Sequence, residues 1–254
     1  MTKVEKFAWS LGSCLVFAGL ILAWQMVADA QLLPKAFFPG PDRTWAALQK
    51  GFSNGSLWAD TLLTLRRMAL GWALASLTGI ALGVVIGLSE RARIFILPMF
   101  EAIRPLPASA IAPLAILLFG LSDTMILILV AFGALWPALL TTAHGISVVH
   151  IRRREVARSL GMTRLSFAWK IALPASMPDI LSGLRLALTV ALILTVVGEM
   201  ITVQGGLGAL IINGARRFNS PNIFAGIVLL GLIGLLTNAG LSILQNHLLR
   251  WQRR

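Results

Sequence analysis

The sequence carries little charge for its length. Only 13% of the 254 residues are charged and 57% are hydrophobic, whereas soluble domains have about 25% charged residues. Several windows exceed the ~18 apolar residues that indicate a membrane span. The composition therefore excludes a soluble globular domain and predicts an all-α, polytopic membrane protein.

Residues that carry metal or nucleotide chemistry are also scarce. The single cysteine, Cys14, rules out an intrachain disulfide, and the three histidines are too scattered to form a metal-binding motif. No lysine follows a glycine, so the phosphate-binding motif G-x-x-x-x-G-K-S/T is absent. We expect no catalytic residues, no metal and no cofactor bound by this chain.

Hydropathy predicts about six transmembrane helices, near residues 8–28, 62–88, 105–121, 124–146, 181–203 and 222–246. The net charge of +12 does not indicate a nucleic-acid partner, because the basic residues cluster at the ends of these runs and so set orientation. Their bias predicts both termini and 147–180 in the cytoplasm, with 29–60 and 204–220 outside. Arg66 and Arg67 deviate from the bias, and snorkelling to the interface is the only explanation that the sequence offers.

The N-terminal part, residues 1–60, is expected to be a helix followed by an outer loop, and residues 61–254 form the transmembrane core. Lys3 and Lys6 precede the first apolar run, and Ala28-Asp29-Ala30 is similar to a signal-peptidase site. The run is longer than the ~7–15 residues of a signal-peptide core, so we favour a retained helix over a cleaved one.

Small residues recur every four positions along the second predicted span: Gly71, Ala75, Gly79, Gly83 and Gly87. Such a stripe lets two helix backbones approach closely in lipid. It favours packing against another helix of the same chain, and contact with a second subunit is the alternative.

Prolines predict distortions in two further spans. Pro105, Pro107 and Pro113 would loosen or kink the third span, and Pro137 the fourth, because proline removes a helix hydrogen bond. Lipid offers no water to replace it, so such kinks are tolerated where helices line a cavity or move.

A basic, glycine-interrupted segment separates the fourth and fifth spans. Residues 155–157 begin a short helical pattern, and Gly161 interrupts it. Thr163 is the predicted N-cap of a second short helix over 164–172. The segment therefore indicates an ordered elbow rather than a passive linker.

The elbow is expected to end before the fifth span begins. Proline disfavours the helical conformation in the residue before it, so Leu173-Pro174 predicts the end of the second short helix. Ser176 and Asp179 have capping-box spacing and predict the start of the fifth span.

This elbow resembles the EAA loop of the membrane subunits of ABC importers. The pattern E-V-A-x-x-x-G, nine residues and I-A-L-P matches at six positions: Glu155, Ala157, Gly161, Ile171, Leu173 and Pro174. Val156 departs from it, since the family usually has alanine there. Segments 103–124, 182–201 and 205–211 resemble the branch that imports nitrate, sulfonates and taurine, so the likeness covers about 63–244.

The resemblance implies a permease subunit of an ATP-driven importer in the bacterial inner membrane. Separate ATPase subunits would bind the ATP, an extracytoplasmic binding protein would deliver the solute, and a second copy of the chain would complete a homodimer. The elbow would dock in a cleft of the ATPase. The coupling residues so implied are Glu155, Ala157, Arg158, Gly161, Ile171, Leu173 and Pro174.

A second candidate site lies at the outer end of the fifth span. Glu199 is ionisable and within the membrane, so it either lines or gates the pathway or pairs with a neighbouring helix. Gly205, Gly206 and Gly208 follow it and permit a re-entrant turn. That turn would line the pathway or face the receptor, and a plain outer turn is the alternative. Arg185, near the start of the same span, is expected to face the inner headgroups or the elbow.

An ion-coupled secondary transporter is the alternative function, with Glu199 as its ion site. The single strong intramembrane carboxylate, the lack of a visible inverted repeat and the large basic elbow argue against it. Arg216 and Arg217 at the outer rim hint at an anionic solute, but the sequence does not identify it.

Overall fold

The fold is helical throughout the residues that the structure describes. The structure is a computed structural model and describes residues 3–31, 34, 37–149, 155–157 and 159–250. The helices are α1 (Lys3–Asp29), α2 (Pro41–Ser53), α3 (Ser56–Leu88), α4 (Glu90–Phe95), α5 (Leu97–Ile103), α6 (Ala108–Phe119), α7 (Asp123–Ser147), α8 (Arg164–Phe167), α9 (Leu173–Thr202), α10 (Leu207–Arg216) and α11 (Ser220–Leu248). A π-helical segment, Ala168–Ala172, joins α8 to α9. The described residues contain no strand, which confirms the predicted all-α class.

Four helices are long and apolar enough to cross a membrane: α3, α7, α11 and the 38-residue helix Leu165–Thr202. The bent pair Glu90–Ile103 and Ala108–Phe119 makes a fifth span if it is counted as one. Helix α1 contributes a shorter apolar stretch, Leu15–Asp29. The polytopic architecture is therefore confirmed, with four or five spans among the described residues where the sequence predicts about six.

The chain bends sharply at the start of the third predicted span. The helices Glu90–Ile103 and Ala108–Phe119 meet at 87°, and the break between Ile103 and Ala108 contains Pro105 and Pro107. Pro107 has ψ 128°, an extended conformation in which the helix cannot continue. The predicted distortion by these prolines is confirmed, because each removes a backbone donor and restricts the residue before it.

The small-residue stripe of α3 packs against α7. A Cβ atom added at Gly79 would lie 2.9 Å from the Cβ of Ala138 and 3.0 Å from the carbonyl oxygen of Leu135. At Gly87 it would lie 2.7 Å from the Cβ of Ile146. The backbones of α3 and α7 are therefore in contact, and internal packing, the favoured interpretation of the stripe, is confirmed.

Helix α9 lies against another side of α7, again through small residues. Ala187 and Ala191 are fully buried, and a Cβ at Gly198 would lie 3.1 Å from the side chain of Ile126. Helices α3, α7 and α9 thus form a close-packed bundle with α7 at its centre.

The predicted end of the elbow at Leu173-Pro174 is wrong. The helix continues from Leu165 to Thr202, because the π-helical segment accommodates Pro174. The amide of Leu173 donates to the carbonyl of Ala168, five residues back, so the turn widens just before the proline that lacks a donor. Ser176 does not cap a new helix, since its hydroxyl donates to the carbonyl of Ala172 at 2.7 Å.

Aromatic side chains attach the N-terminal part to the last helix. The indole of Trp24 on α1 stacks on Phe224 of α11 with ring centroids 5.6 Å apart, and it donates to the carbonyl of Pro39 at 3.0 Å. Phe38 meets Phe224 edge-on at 5.7 Å. These contacts hold α1 at the periphery, beside α11 rather than inside the bundle.

Substitution of Gly83 should destabilise the bundle. A Cβ there would lie 2.6 Å from the Cβ of Thr142 and 2.7 Å from the carbonyl of Leu139, so Gly83→Val should lower the free energy of unfolding by about 1–3 kcal/mol through overpacking. Thermal unfolding of the detergent-solubilised protein, followed by tryptophan fluorescence, measures the effect.

Gly231→Val is the matched control, because Gly231 is also helical but has nothing within 4 Å of an added Cβ. Its Tm should fall much less. Equal Tm values for the two variants would contradict the contact between α3 and α7.

Candidate functional site

The elbow begins with a short helical turn that ends at a glycine. Residues 155–157 are helical, and Gly161 has φ +66°, in the left-handed region that favours glycine. The amide of Met162 donates back to the carbonyl of Ala157 at 3.0 Å, which closes the turn. No atom lies within 4 Å of a Cβ added at Gly161, so the backbone conformation alone requires glycine there.

The second short helix starts as the sequence predicts. The hydroxyl oxygen of Thr163 accepts from the amide of Ser166 at 3.2 Å, which confirms Thr163 as the N-cap. Glu155 is exposed, whereas Ile171, Leu173 and Pro174 are half-buried. Arg158 lies outside the described residues.

One side of the elbow is fixed to the ends of α3 and α7. Ala168 and Ala172 are buried, and Ala172 belongs to an apolar cluster with Ile146 and Val149 of the α7 end. Val84 and Leu88, at the end of α3, pack against the same cluster. Small alanines on this side let the elbow lie close to both helix ends.

The other side of the elbow exposes large apolar side chains. Val156 is 57% exposed, Leu160 72%, Leu165 69% and Trp169 67%. A group of exposed apolar residues next to charged ones is typical of a surface that another protein or a lipid surface covers. The elbow therefore has one anchored side and one side available for a partner.

At the opposite end of the bundle, three polar side chains follow one face of α3. Asp60, Thr64 and Arg67 are spaced four and three residues apart, which places them on one side of a helix. Arg67 is only 3% exposed, and Thr64 is fully buried. They lie just beyond the glycine stripe, where α3 faces α7 and α9.

Arg67 forms ion pairs with two carboxylates from different helices. Its Nη1 donates to Oε1 of Glu199 on α9 at 3.2 Å, and its Nε donates to Oδ1 of Asp123, the first residue of α7, at 2.9 Å. Glu199 is fully buried, whereas the side chain of Asp123 is 52% exposed. This arrangement, which we call the outer brace, joins α3, α7 and α9 through one guanidinium.

The glycine turn after α9 is fastened to the outer brace by its backbone. The amide of Gly206 donates to Asp60 at 2.9 Å, and the amide of Gly208 donates to Oε2 of Glu199 at 3.0 Å. The carbonyl of Gly205 accepts from Nη1 of Arg67 at 3.0 Å. Gly205 and Gly206 have φ of +84° and +93°, and a Cβ at Gly206 would overlap the Glu199 carboxylate.

The structure thus brings together all four residues of the second candidate site: Glu199, Gly205, Gly206 and Gly208. It adds partners that the sequence analysis missed, since Arg67 was assigned only to snorkelling. The sequence does contain a signal for these partners, because Asp60, Thr64 and Arg67 fall on one side of an apolar helix. Polar groups in a membrane need hydrogen-bond partners, so such a triplet predicts polar partners on that side.

A polar pocket opens beside the glycine turn. Its volume is about 240 Å³, and its lining includes Asp60, Gly205, Asn213, Arg217 and Asn222. No group of three or more His, Cys, Asp or Glu residues in the described part of the chain is arranged to hold a metal ion.

Residues 77–254 match the family model described as "Binding-protein-dependent transport system inner membrane component". The chain is 32% identical to a putative aliphatic sulfonates transport permease protein SsuC of Bacillus subtilis, over 98% of this chain and 90% of that protein. It is 31% identical to the taurine transport system permease protein TauC of Escherichia coli, over 97% and 93%. It is 28% identical to the nitrate import permease protein NrtB of Leptolyngbya laminosa, over 91% and 84%.

The fold is also similar to a solved structure. A chain of the MetNI methionine ABC transporter, in an inward-facing conformation, superposes with a TM-score of 0.67 at 16% identity. The match covers 76% of this chain and 96% of that chain. At this identity the likeness concerns the fold alone.

The outer brace should behave as one coupled unit. Arg67→Met leaves the fully buried carboxylate of Glu199 without its cation, so it should lower the free energy of unfolding by about 3–5 kcal/mol. The double variant Arg67→Met/Glu199→Gln should recover much of that loss, because the glutamine is neutral and still accepts the Gly208 amide.

Thermal or chemical unfolding of the single and double variants in detergent measures the coupling. Arg66→Met, which removes the exposed neighbouring arginine, controls for the loss of a positive charge. Strictly additive losses in the double variant would show that the two side chains are not coupled.

Proposed function

Because the chain belongs to the family of binding-protein-dependent transport system inner membrane components, we propose that it translocates a small anionic or zwitterionic solute as half of a homodimer. It is a membrane permease subunit of an ABC importer, and a transport subunit rather than an enzyme. The family implies two further kinds of partner, an ATPase and a solute-binding protein. Ion-coupled secondary transport, the alternative function, has no support from this family.

A sulfonate, taurine or another small oxyanion such as nitrate is the solute that the relatives favour. Relatives that match this chain over nine tenths of its length carry aliphatic sulfonates, taurine, nitrate or bicarbonate in their names. These solutes are small and bear an oxyanion group. The polar pocket beside the glycine turn contains Arg217 and three asparagines, Asn213, Asn219 and Asn222, which can donate to such a group.

The observation that carries the mechanism is that one continuous helix links the elbow to the outer brace. Leu165–Thr202 contains Trp169 at one end and Glu199 near the other. Thirty residues separate them along the helix, which corresponds to about 45 Å at the rise of an α-helix. A displacement of the elbow by the ATPase therefore reaches the glycine turn through α9 without an intervening loop.

The bundle gives this displacement a second route. The buried side of the elbow packs on the ends of α3 and α7, and the outer brace joins the same two helices to α9 at the other end. We assign the exposed side of the elbow to the ATPase and the glycine turn to the outer gate of the pathway. Glu155, Gly161 and the other elbow residues act as coupling residues, and Glu199 positions the gate.

The division into an N-terminal part, 1–60, and a core, 61–254, fits the same scheme. Among the described residues, helix α1 contacts α2 and α11, and the family model begins at residue 77. The N-terminal part is then a peripheral addition that holds no coupling residue.

Orientation can be tested by cysteine labelling. With Cys14 replaced by serine, a membrane-impermeant maleimide added to intact cells should label Ser53→Cys but not Thr163→Cys, because the basic elbow is expected in the cytoplasm. Both positions are exposed, so both should react after permeabilisation. Labelling of Thr163→Cys in intact cells would overturn the proposed orientation.

The transport activity and the role of the elbow can be tested together. Proteoliposomes that hold the complete importer should take up labelled taurine or ethanesulfonate only with ATP. Trp169→Ala should lower this uptake and the affinity for the ATPase by about tenfold or more, because it removes an exposed aromatic side chain that the docked ATPase would bury.

Trp45→Ala is the matched control, since Trp45 is 62% exposed on α2, away from the elbow. Its uptake and ATPase affinity should stay at the wild-type level. ATP-dependent uptake that is unchanged in Trp169→Ala would contradict the docking role, and ATP-independent uptake by the wild type would contradict the importer.

A further inference from the structure

Arg185 occupies an unusual position in the long helix that carries Glu199. It lies fourteen residues before Glu199, about 21 Å closer to the elbow along the helix axis. The hydrocarbon core of a bilayer is about 30 Å thick. With the outer brace at one boundary, Arg185 falls in the half of the membrane nearer the elbow, several ångströms inside the opposite boundary.

No carboxylate of the described residues pairs with the Arg185 guanidinium. Among the described residues, Arg185 forms no ion pair, whereas Arg67 forms two. Within the described part of the chain, its side chain donates one hydrogen bond, from Nη2 to Oε1 of Gln245 on α11 at 2.5 Å. Its Nε is buried and has no acceptor among the described residues.

An unpaired guanidinium at this depth is costly. Charged side chains in membrane helices pair with an opposite charge or face a watery cavity, and removal of an ion from water costs several kcal/mol unless a partner compensates. Gln245 supplies a neutral amide oxygen, which orients the guanidinium but leaves its charge uncompensated. The remaining donors therefore suit an anion from outside the chain.

The surface next to Arg185 leaves room for such an anion. Ser182, Leu186 and Thr189 are exposed at three- and four-residue spacing on α9, so this helix face is not covered by the described part of the chain. Arg185 itself is half-buried between this face and α11.

We propose that Arg185, held by Gln245, binds an oxyanion at the elbow side of the membrane. The planar guanidinium offers parallel N–H donors that match the oxygens of phosphate or sulfonate. The oxyanion is either the phosphate of an anionic lipid or the anionic group of the solute in passage. The second source rests on the transport function proposed above, and the first does not.

The first experimental arm examines the lipid. The complete importer is placed in nanodiscs of phosphatidylcholine that contain a small fraction of phosphatidylglycerol, and native mass spectrometry counts the phosphatidylglycerol retained per complex. Arg185→Gln should weaken this retention about tenfold, through the loss of charge-assisted hydrogen bonds. Arg66→Gln removes the same charge from an exposed arginine on α3 and should retain the lipid.

The second arm examines the solute. Labelled ethanesulfonate is titrated onto the permease–ATPase complex without its binding protein, in nanodiscs of phosphatidylcholine alone. If the solute is the source, Arg185→Gln should weaken binding about tenfold, and Arg66→Gln should not. Retention of lipid with no binding of ethanesulfonate identifies the lipid as the ligand. The lipid experiment does not depend on transport, so its result stands even if the proposed transport function is wrong.

Size-exclusion chromatography and thermal unfolding show whether Arg185→Gln assembles. If it does not, Arg185→Lys replaces it, and loss of the forked guanidinium should still weaken binding about threefold or more. Binding in the Arg185 variant equal to that of the wild type in both arms, or no binding of either probe by the wild type, overturns the proposal.

Discussion

The ion pair between Arg67 and Glu199 is the constraint on which the outer half of this protein depends. Both side chains are removed from water, and an unpaired charge there would cost several kcal/mol. Arg67 must therefore lie opposite Glu199, which fixes the relative height of α3 and α9. Asp123 then draws the first turn of α7 to the same guanidinium. In the glycine turn, the amide of Gly208 donates to the same Glu199 and the amide of Gly206 to Asp60 of α3, so these helices also satisfy the backbone of the turn.

Close packing of α3, α7 and α9 transmits the positions set by the ion pair to the other end of the bundle. Apolar surface gives little preference between helix neighbours in lipid, so backbone proximity through small residues determines which helices meet. The stripe on α3 and the alanines of α9 serve this purpose on either side of α7. The elbow is then seated on helix ends whose positions the outer brace has already set. The same bundle can thus hold a gate at one end and respond to a partner at the other.

Features that depend on neighbouring residues in the sequence were predictable, and features that depend on distant partners were not. Thr163 could be identified as an N-cap, and the prolines at 105 and 107 as a source of distortion, because each acts within one helical turn. Arg67 could not be paired with Glu199, since 132 residues separate them and several acidic residues were available. Pro174 was misinterpreted for another reason. A proline ends an ordinary α-helix, but a π-turn placed just before it removes the need for the missing donor.

The π-helical segment Ala168–Ala172 also determines the direction in which the exposed side of the elbow faces. A π-turn holds one residue more than an α-turn, so it rotates everything before it by about 100° relative to an uninterrupted helix. The side of the helix that Trp169 and Leu165 present is consequently determined by this one additional residue, and not by the apolar pattern of α9. Loss of a single residue here would leave the composition of the elbow almost unchanged but would rotate its exposed side by about 100° from its present direction. In related chains, insertions and deletions should therefore be rarer across 168–172 than in the loops.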